Sequence, residues 1–226
     1  MDKLFSNRRE AGAELADKLK AYTNRADVLV LALPRGGVPV AYEVARALHA
    51  PLDVFVVRKL GVPGHEELAM GAIASGGVRV LNEEITSEMG LPRSLINAIV
   101  RREQKELERR ERLYRGARPI PDVLGRTVIL IDDGMATGAT MHAAALALRR
   151  MKPSKLIVAV PVGAQDTCDE FRGVVDEVVC VITPAPFMAV GAWYADFSQT
   201  SDEEVRDLLQ QAGVNQGDSL SPVCYP

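Results

Sequence analysis

Five short runs dominated by aliphatic residues recur along the chain: VLVLAL (28–33), LDVFVV (52–57), TVILI (127–131), KLIVAVPV (155–162) and DEVVCVI (176–182). None alternates apolar with polar side chains, so each predicts a strand covered on both faces. Helical patterns lie between them. Residues 7–22 place Ala11, Leu15, Ala16 and Leu19 on one stripe, and AYEVARALHA and ATMHAAALALRRM follow the first and third runs. A long helix is expected from about Pro92 to Tyr114, and a last one from Ser201, where Ser201 and Glu204 have capping-box spacing. After Gly213 the chain is polar and is expected to fray. Strands alternating with helices predict an α/β fold, a largely parallel sheet with helices on both faces.

With 226 residues and 47% hydrophobic content, the chain can bury a large core, and a single domain over 1–226 is expected. A net charge of −3 gives no general attraction to nucleic acid or to an anionic membrane. No apolar run reaches the ~18 residues of a membrane span, and the first ten residues, MDKLFSNRRE, lack a secretory apolar stretch. Cys168, Cys180 and Cys224 form no CxxC pair, which fits reduced thiols in a cytoplasm. His49, His65 and His142 have no metal-ligand spacing.

In parallel sheets ligands bind beyond the carboxyl ends of the strands, and two such ends carry unusual turns. After TVILI come Asp132 and Asp133, then GMATGAT. Gly134 and Gly138 are free to take positive φ, and Thr137 and Thr140 add hydroxyls. With the positive end of the following helix, this turn is an anion cradle suited to a phosphate. Adjacent carboxylates make sense there as acceptors for neutral hydroxyls or as neighbours of a divalent ion. A solvated turn is the plainer reading of either element alone; their ordered combination is far more specific. The turn ALPRGGVPVA supplies Arg35 as a fixed cation, and Gly36 and Gly37 let backbone amides approach a ligand. Its plainer reading is a tight turn with Arg35 in a surface ion pair. Two anion sites on neighbouring strand ends suit one ligand with phosphates at both ends of a sugar.

VILIDDGMATGATM resembles the phosphoribosyl-diphosphate (PRPP) signature of type I phosphoribosyltransferases, and PRGG after the first strand resembles their pyrophosphate loop. VVRKLGVPGHEELAMGAI stands where their flexible catalytic loop lies, and FMAVGAWYADF resembles the segment covering the base in purine-salvage members. The resemblance implies a type I phosphoribosyltransferase fold with a core over about 26–182 and a helical insertion at about 83–116. The N-terminal helix, residues 60–80 and about 183–212 would form a small hood or lid. It implies an enzyme that moves the phosphoribosyl group from PRPP to a nitrogenous base with Mg2+ as cofactor, and a homodimer. Asp132 and Asp133 would hold the ribose hydroxyls, directly or around magnesium. Gly134, Met135, Ala136, Thr137, Gly138 and Thr140 would hold the 5′-phosphate. Arg35, Gly36 and Gly37 would bind pyrophosphate, across a cis peptide at Pro34–Arg35, and Lys59 would steady the departing group. Phe187, Met188 and Trp193 would line the base site, and Asp196 would join Asp133 near a second magnesium.

Ala136 departs from the family pattern. In 6-oxopurine members an aspartate precedes the threonine and aids proton transfer, so hypoxanthine and guanine are disfavoured; Glu66 or Glu67 could supply an acid instead. The run RREQKELERRER (101–112) is extra to the minimal family core. Its Glu106–Arg110 and Glu108–Arg112 pairs at i,i+4 predict a solvated helix, and its mixed charge argues against a nucleic-acid face. The rival reading is a regulatory protein that keeps the fold as a PRPP or nucleotide sensor.

Overall fold

A computed structural model of the chain describes residues 4–116 and 118–217. In chain order, α1 (Arg8–Lys18), β1 (Val28–Ala32), α2 (Gly37–Leu48) and β2 (Leu52–Val54) come first. Three strands follow, β3 (Val57–Val62), β4 (His65–Ala74) and β5 (Val78–Leu81), then α3 (Glu83–Glu88) and α4 (Arg93–Arg115). β6 (Thr127–Ile131), α5 (Ala139–Arg150), β7 (Lys155–Val162), α6 (Gln165–Phe171), β8 (Glu177–Ile182) and α7 (Asp202–Gly217) complete the chain.

The main sheet has the order β2-β1-β6-β7-β8, with every pairing parallel. Its central strands feed two cores, as continuous apolar runs require. Val28, Val30 and Ala32 of β1 join one core with Leu15 of α1, Val40 of α2 and Leu208 of α7. Leu29 and Leu31 point the other way, to Ala144 and Leu148 of α5 and Phe171 of α6. Strand order reverses between β1 and β6: the chain runs outward from β1 to β2, then returns to place β6 on the other side of β1. A crevice at such a reversal is where open α/β sheets bind ligands. The PRGG turn leaves β1 there and the DDGMATGAT turn leaves β6.

Three expectations need correction. LDVFVV is not one strand: the chain leaves the main sheet after Val54, and Val57 begins a separate antiparallel sheet ordered β3-β4-β5. Ser75 ties the crossover, its N–H donating to the Val56 carbonyl (2.9 Å) and its Oγ accepting from the Val56 N–H (3.0 Å). Much of the segment 60–80 expected in the hood therefore forms the β3–β4 hairpin, with Pro63 and Gly64 (φ +79°) at its turn. Glycine at the third turn position after proline is the type II pattern. α7 also continues past Gly213 to Gly217.

The charged helix α4 is the third correction, because it is only half solvated. Ile96, Ile99 and Leu107 are buried, and so are Glu103 and Arg115. Arg58 of β3 grips Glu103 through Nε (2.9 Å) and Nη2 (2.6 Å). Arg115 donates to Asp53 Oδ2 (3.1 Å) and the Val54 carbonyl (2.8 Å). Of the expected pairs, Glu106–Arg110 at 2.9 Å is half-buried and Glu108–Arg112 at 3.8 Å is exposed. At the start of α7, Ser201 Oγ accepts from the Glu204 N–H at 3.0 Å. Ser201→Ala removes that cap and is expected to cost about 1 kcal/mol, lowering the melting temperature by roughly 2–4 °C in a circular-dichroism melt.

Candidate active site

The two turns meet. The Leu33 N–H continues the β1–β6 ladder to the Ile131 carbonyl (2.8 Å), which fixes one strand end against the other. The peptide Pro34–Arg35 is cis, as the resemblance implied. The next two residues lie directly on the acid pair. A Cβ on Gly36 would overlap the Asp133 carboxylate, standing 2.7 Å from its Cγ, and one on Gly37 would stand 2.7 Å from the Ile131 carbonyl oxygen and 2.9 Å from the Asp132 Cα. Glycine is needed here for close approach.

Asp132 Oδ1 accepts from the Asp133 N–H (2.9 Å), which aims the first carboxylate back along the turn. Asp133 Oδ2 accepts from Arg8 Nε at 2.8 Å. The Arg8 guanidinium lies 4.0 Å above the Phe197 ring and donates through Nη1 to the Ser198 carbonyl (2.7 Å). Buried Tyr194 donates its hydroxyl to the Asp133 carbonyl oxygen. Burial, then the charge of Asp133, pushes the Asp132 carboxyl well above its ordinary range. Burial raises Asp133 too, opposed by the Arg8 charge and hydrogen bond. Burial and the nearby acid push the Tyr194 hydroxyl upward, so it remains a neutral donor.

A carboxyl raised in the folded state binds protons there that the unfolded chain has released. Its contribution to stability therefore falls as pH rises from the ordinary carboxylate value through the folded one. Asp132→Asn, which keeps an acceptor for the Asp133 N–H, is expected to raise the neutral-pH melting temperature. The gain should shrink as pH falls through the raised folded value and be gone near the ordinary carboxylate value of about 4; a gain constant with pH would contradict this account.

The turn after the acid pair is built from below. Gly138 takes φ +66° at the N-cap of α5, and a Cβ there would stand 2.6 Å from the Phe171 ring. Gly134, expected at positive φ, is absent from the left-handed region; its lack of a side chain makes room for Val190. Thr167 Oγ1 donates to the Ala136 carbonyl (2.7 Å). Ala136, Thr137 and Thr140 are exposed, and among the described residues no side chain caps α5, which leaves its first-turn N–H groups without a side-chain acceptor. Met135 departs from its expected place in the cradle: its side chain is buried in the second core and its N–H donates to the Val162 carbonyl.

Arg35 reaches toward the start of α7, with Nη1 3.8 Å from Asp202 Oδ1, the oxygen that also accepts from the Tyr114 hydroxyl (2.7 Å). Lys59 stands on β3, in the wall of a cleft that also holds Pro34 and Thr140. Phe187 and Trp193 pack against a small cluster of Phe5, Ala11, Val162 and Tyr194, while Met188 is 81% exposed. Asp196 is exposed on a turn where its Oδ1 accepts from the Ser198 N–H (2.9 Å), a local bond that does not involve Asp133. Side chains of Glu66 and Glu67 lie outside the described residues. Among the described residues no three His, Cys, Asp or Glu side chains gather as a metal site. The acid pair nonetheless suits positive charge, since the Arg8 guanidinium already sits on its outer oxygen.

Arg8 is the residue that sequence reasoning missed. It lies 125 positions from Asp133, and no local spacing connects them. The segment before α1 is held by hydrogen bonds from Phe5 N–H to the Trp193 carbonyl (2.9 Å) and from Asp196 N–H to the Ser6 carbonyl (3.0 Å).

A family model described as the phosphoribosyl transferase domain matches residues 2–192. A Mycobacterium tuberculosis protein provisionally named a phosphoribosyl transferase is 51% identical over 211 residues, 93% of this chain and 47% of its own length. The chain thus spans about half the length of the curated relatives it matches. The crystal structure of TT1426 from Thermus thermophilus superposes with a TM-score of 0.83 at 41% identity, covering 92% of this chain and 98% of that one. Among the described residues no helix is long and apolar enough to cross a membrane.

Proposed function

The chain belongs to the phosphoribosyl transferase domain family, and we propose that it binds Mg-PRPP and transfers the 5-phosphoribosyl group to a nitrogenous base, releasing pyrophosphate. The observation that carries this reading is the contact of PRGG with the acid pair, which leaves no room for a side chain between Gly36 and Asp133. One ligand spanning both turns would meet carboxylates at its sugar and amides at its two anionic ends.

In this reading Asp132 and Asp133 accept the ribose hydroxyls, with Arg8 aiming Asp133 and opposing the protonation that burial favours. Residues 136–140, exposed except for Gly138, and the first turn of α5 bind the 5′-phosphate. Arg35, Gly36, Gly37 and Lys59 bind the pyrophosphate. Magnesium, bound mainly through ligand oxygens beside Asp133, would neutralise the charge of the leaving group. Departure of pyrophosphate leaves positive charge on the ribose, so the protein acts by fixed electrostatics and by keeping water out. The β3–β4 hairpin is the element placed to cover that step. Ala136 withdraws the acid that would serve a 6-oxopurine, so the acceptor is left as a class, a nitrogenous base.

The test is incubation with Mg-PRPP and a panel of purines, pyrimidines and other nitrogenous acceptors, following pyrophosphate release and nucleotide formation. Turnover with one acceptor class is expected. PRPP binding without turnover on any acceptor would favour the sensor reading instead.

A further inference from the structure

Helix α4 forms one wall of a cleft of about 510 Å³. The opposite walls are Pro34 at the PRGG turn, Thr140 in the first turn of α5, and the β3 end of the hairpin. The cleft therefore touches both turns assigned above to anions. Four cationic residues line it, Arg58 and Lys59 from β3 and Arg102 and Arg110 from α4, against the single acid Glu103.

Glu103 is already held by its neighbours. Its Oε2 takes both contacts from Arg58, and its Oε1 takes Arg102 Nε at 3.0 Å. Arg110 is held in the same manner, by Nε on Glu106 Oε1 at 2.9 Å. Arg102 and Arg110 are thus each held through Nε, and their Nη groups make no hydrogen bond to the protein among the described residues. A guanidinium fixed at Nε presents its fork with part of its rotational freedom already lost. That fork matches two oxygens of a phosphate, a geometry that lysine cannot reproduce. The backing is firm: buried Ile99 and Leu107 and the Arg115 contacts to Asp53 and Val54 pin α4 to the body of the protein.

We propose that Arg102 and Arg110 of α4 form an anion subsite that grips the diphosphate end of the substrate, extending the site of Arg35, Gly36 and Gly37. The inference rests on the PRPP reading above and gives the inserted helix a binding role. Arg110 is the stronger contributor, since Arg102 is 76% exposed and its charge is better screened.

Calorimetric titration of the full chain with three magnesium-loaded probes separates the possibilities: PRPP, inorganic pyrophosphate and ribose 5-phosphate. Arg110→Gln is expected to weaken PRPP and pyrophosphate about tenfold, and the Arg102→Gln/Arg110→Gln pair about thirtyfold. Ribose 5-phosphate, which lacks the diphosphate, should bind as in wild type. Arg110→Lys should recover only part of the loss. Glutamine keeps most of the side-chain stem, so an unchanged melting temperature is expected. Equal weakening of PRPP and ribose 5-phosphate, or no change in either, would overturn the subsite while leaving the PRPP reading intact. Wild-type protein that binds none of the three probes contradicts both.

Discussion

Asp133→Asn is expected to lower PRPP-dependent turnover by roughly a hundredfold, equivalent to about 3 kcal/mol, while the protein stays folded. The asparagine is nearly isosteric and still offers Oδ1 to Arg8 Nε, so the contact at 2.8 Å has a neutral replacement. It removes the negative charge that would accept ribose hydroxyls strongly and sit beside magnesium. The neighbouring Asp132 also loses one of the charges that push its own carboxyl above the ordinary range. Steady-state assay beside a thermal melt separates the two effects. A variant with wild-type turnover would show that the ribose is held elsewhere.

Gly36→Ala is expected to abolish measurable turnover, because the added methyl falls on the Asp133 carboxylate itself. Asp133 must then leave Arg8 or push the turn away from β6, and either movement separates the acid from the amides of the PRGG turn. Overpacking of this kind costs about 1–3 kcal/mol of stability, so a modest fall in melting temperature should accompany the loss. Gly37→Ala meets backbone at Ile131 and Asp132, which has less freedom to move, and should destabilise more than Gly36→Ala. The reverse order in urea unfolding would place the turn differently from the geometry described.

The main sheet was legible because β1, β6 and β7 are buried on both faces, which leaves an unbroken aliphatic signature. The same signature concealed the break at Phe55 and Val56. Those two residues stay buried, one in each core, while the chain passes from one sheet to the next. That the two glycine turns stand at strand ends was legible from residue type and order, since glycine, threonine and paired aspartate leave few alternatives there. Met135 was misplaced because its neighbours are all small or polar; its bulk and hydrophobicity were the signal for packing. Arg8, and the partners of buried Glu103 and Arg115, were not legible. A buried charge is explained by its partner, and Asp133, Arg58 and Asp53 are all remote in sequence.

The central claim is that the acid pair and the two glycine turns form one PRPP site. Equilibrium binding of PRPP to wild type and to Asp133→Asn, each with and without magnesium, tests it most directly. The account predicts saturable, magnesium-dependent binding in the micromolar range to wild type, sharply weakened by the substitution in protein that melts normally. Absence of binding to folded wild type at millimolar PRPP, or equal affinity in the two proteins, would contradict it.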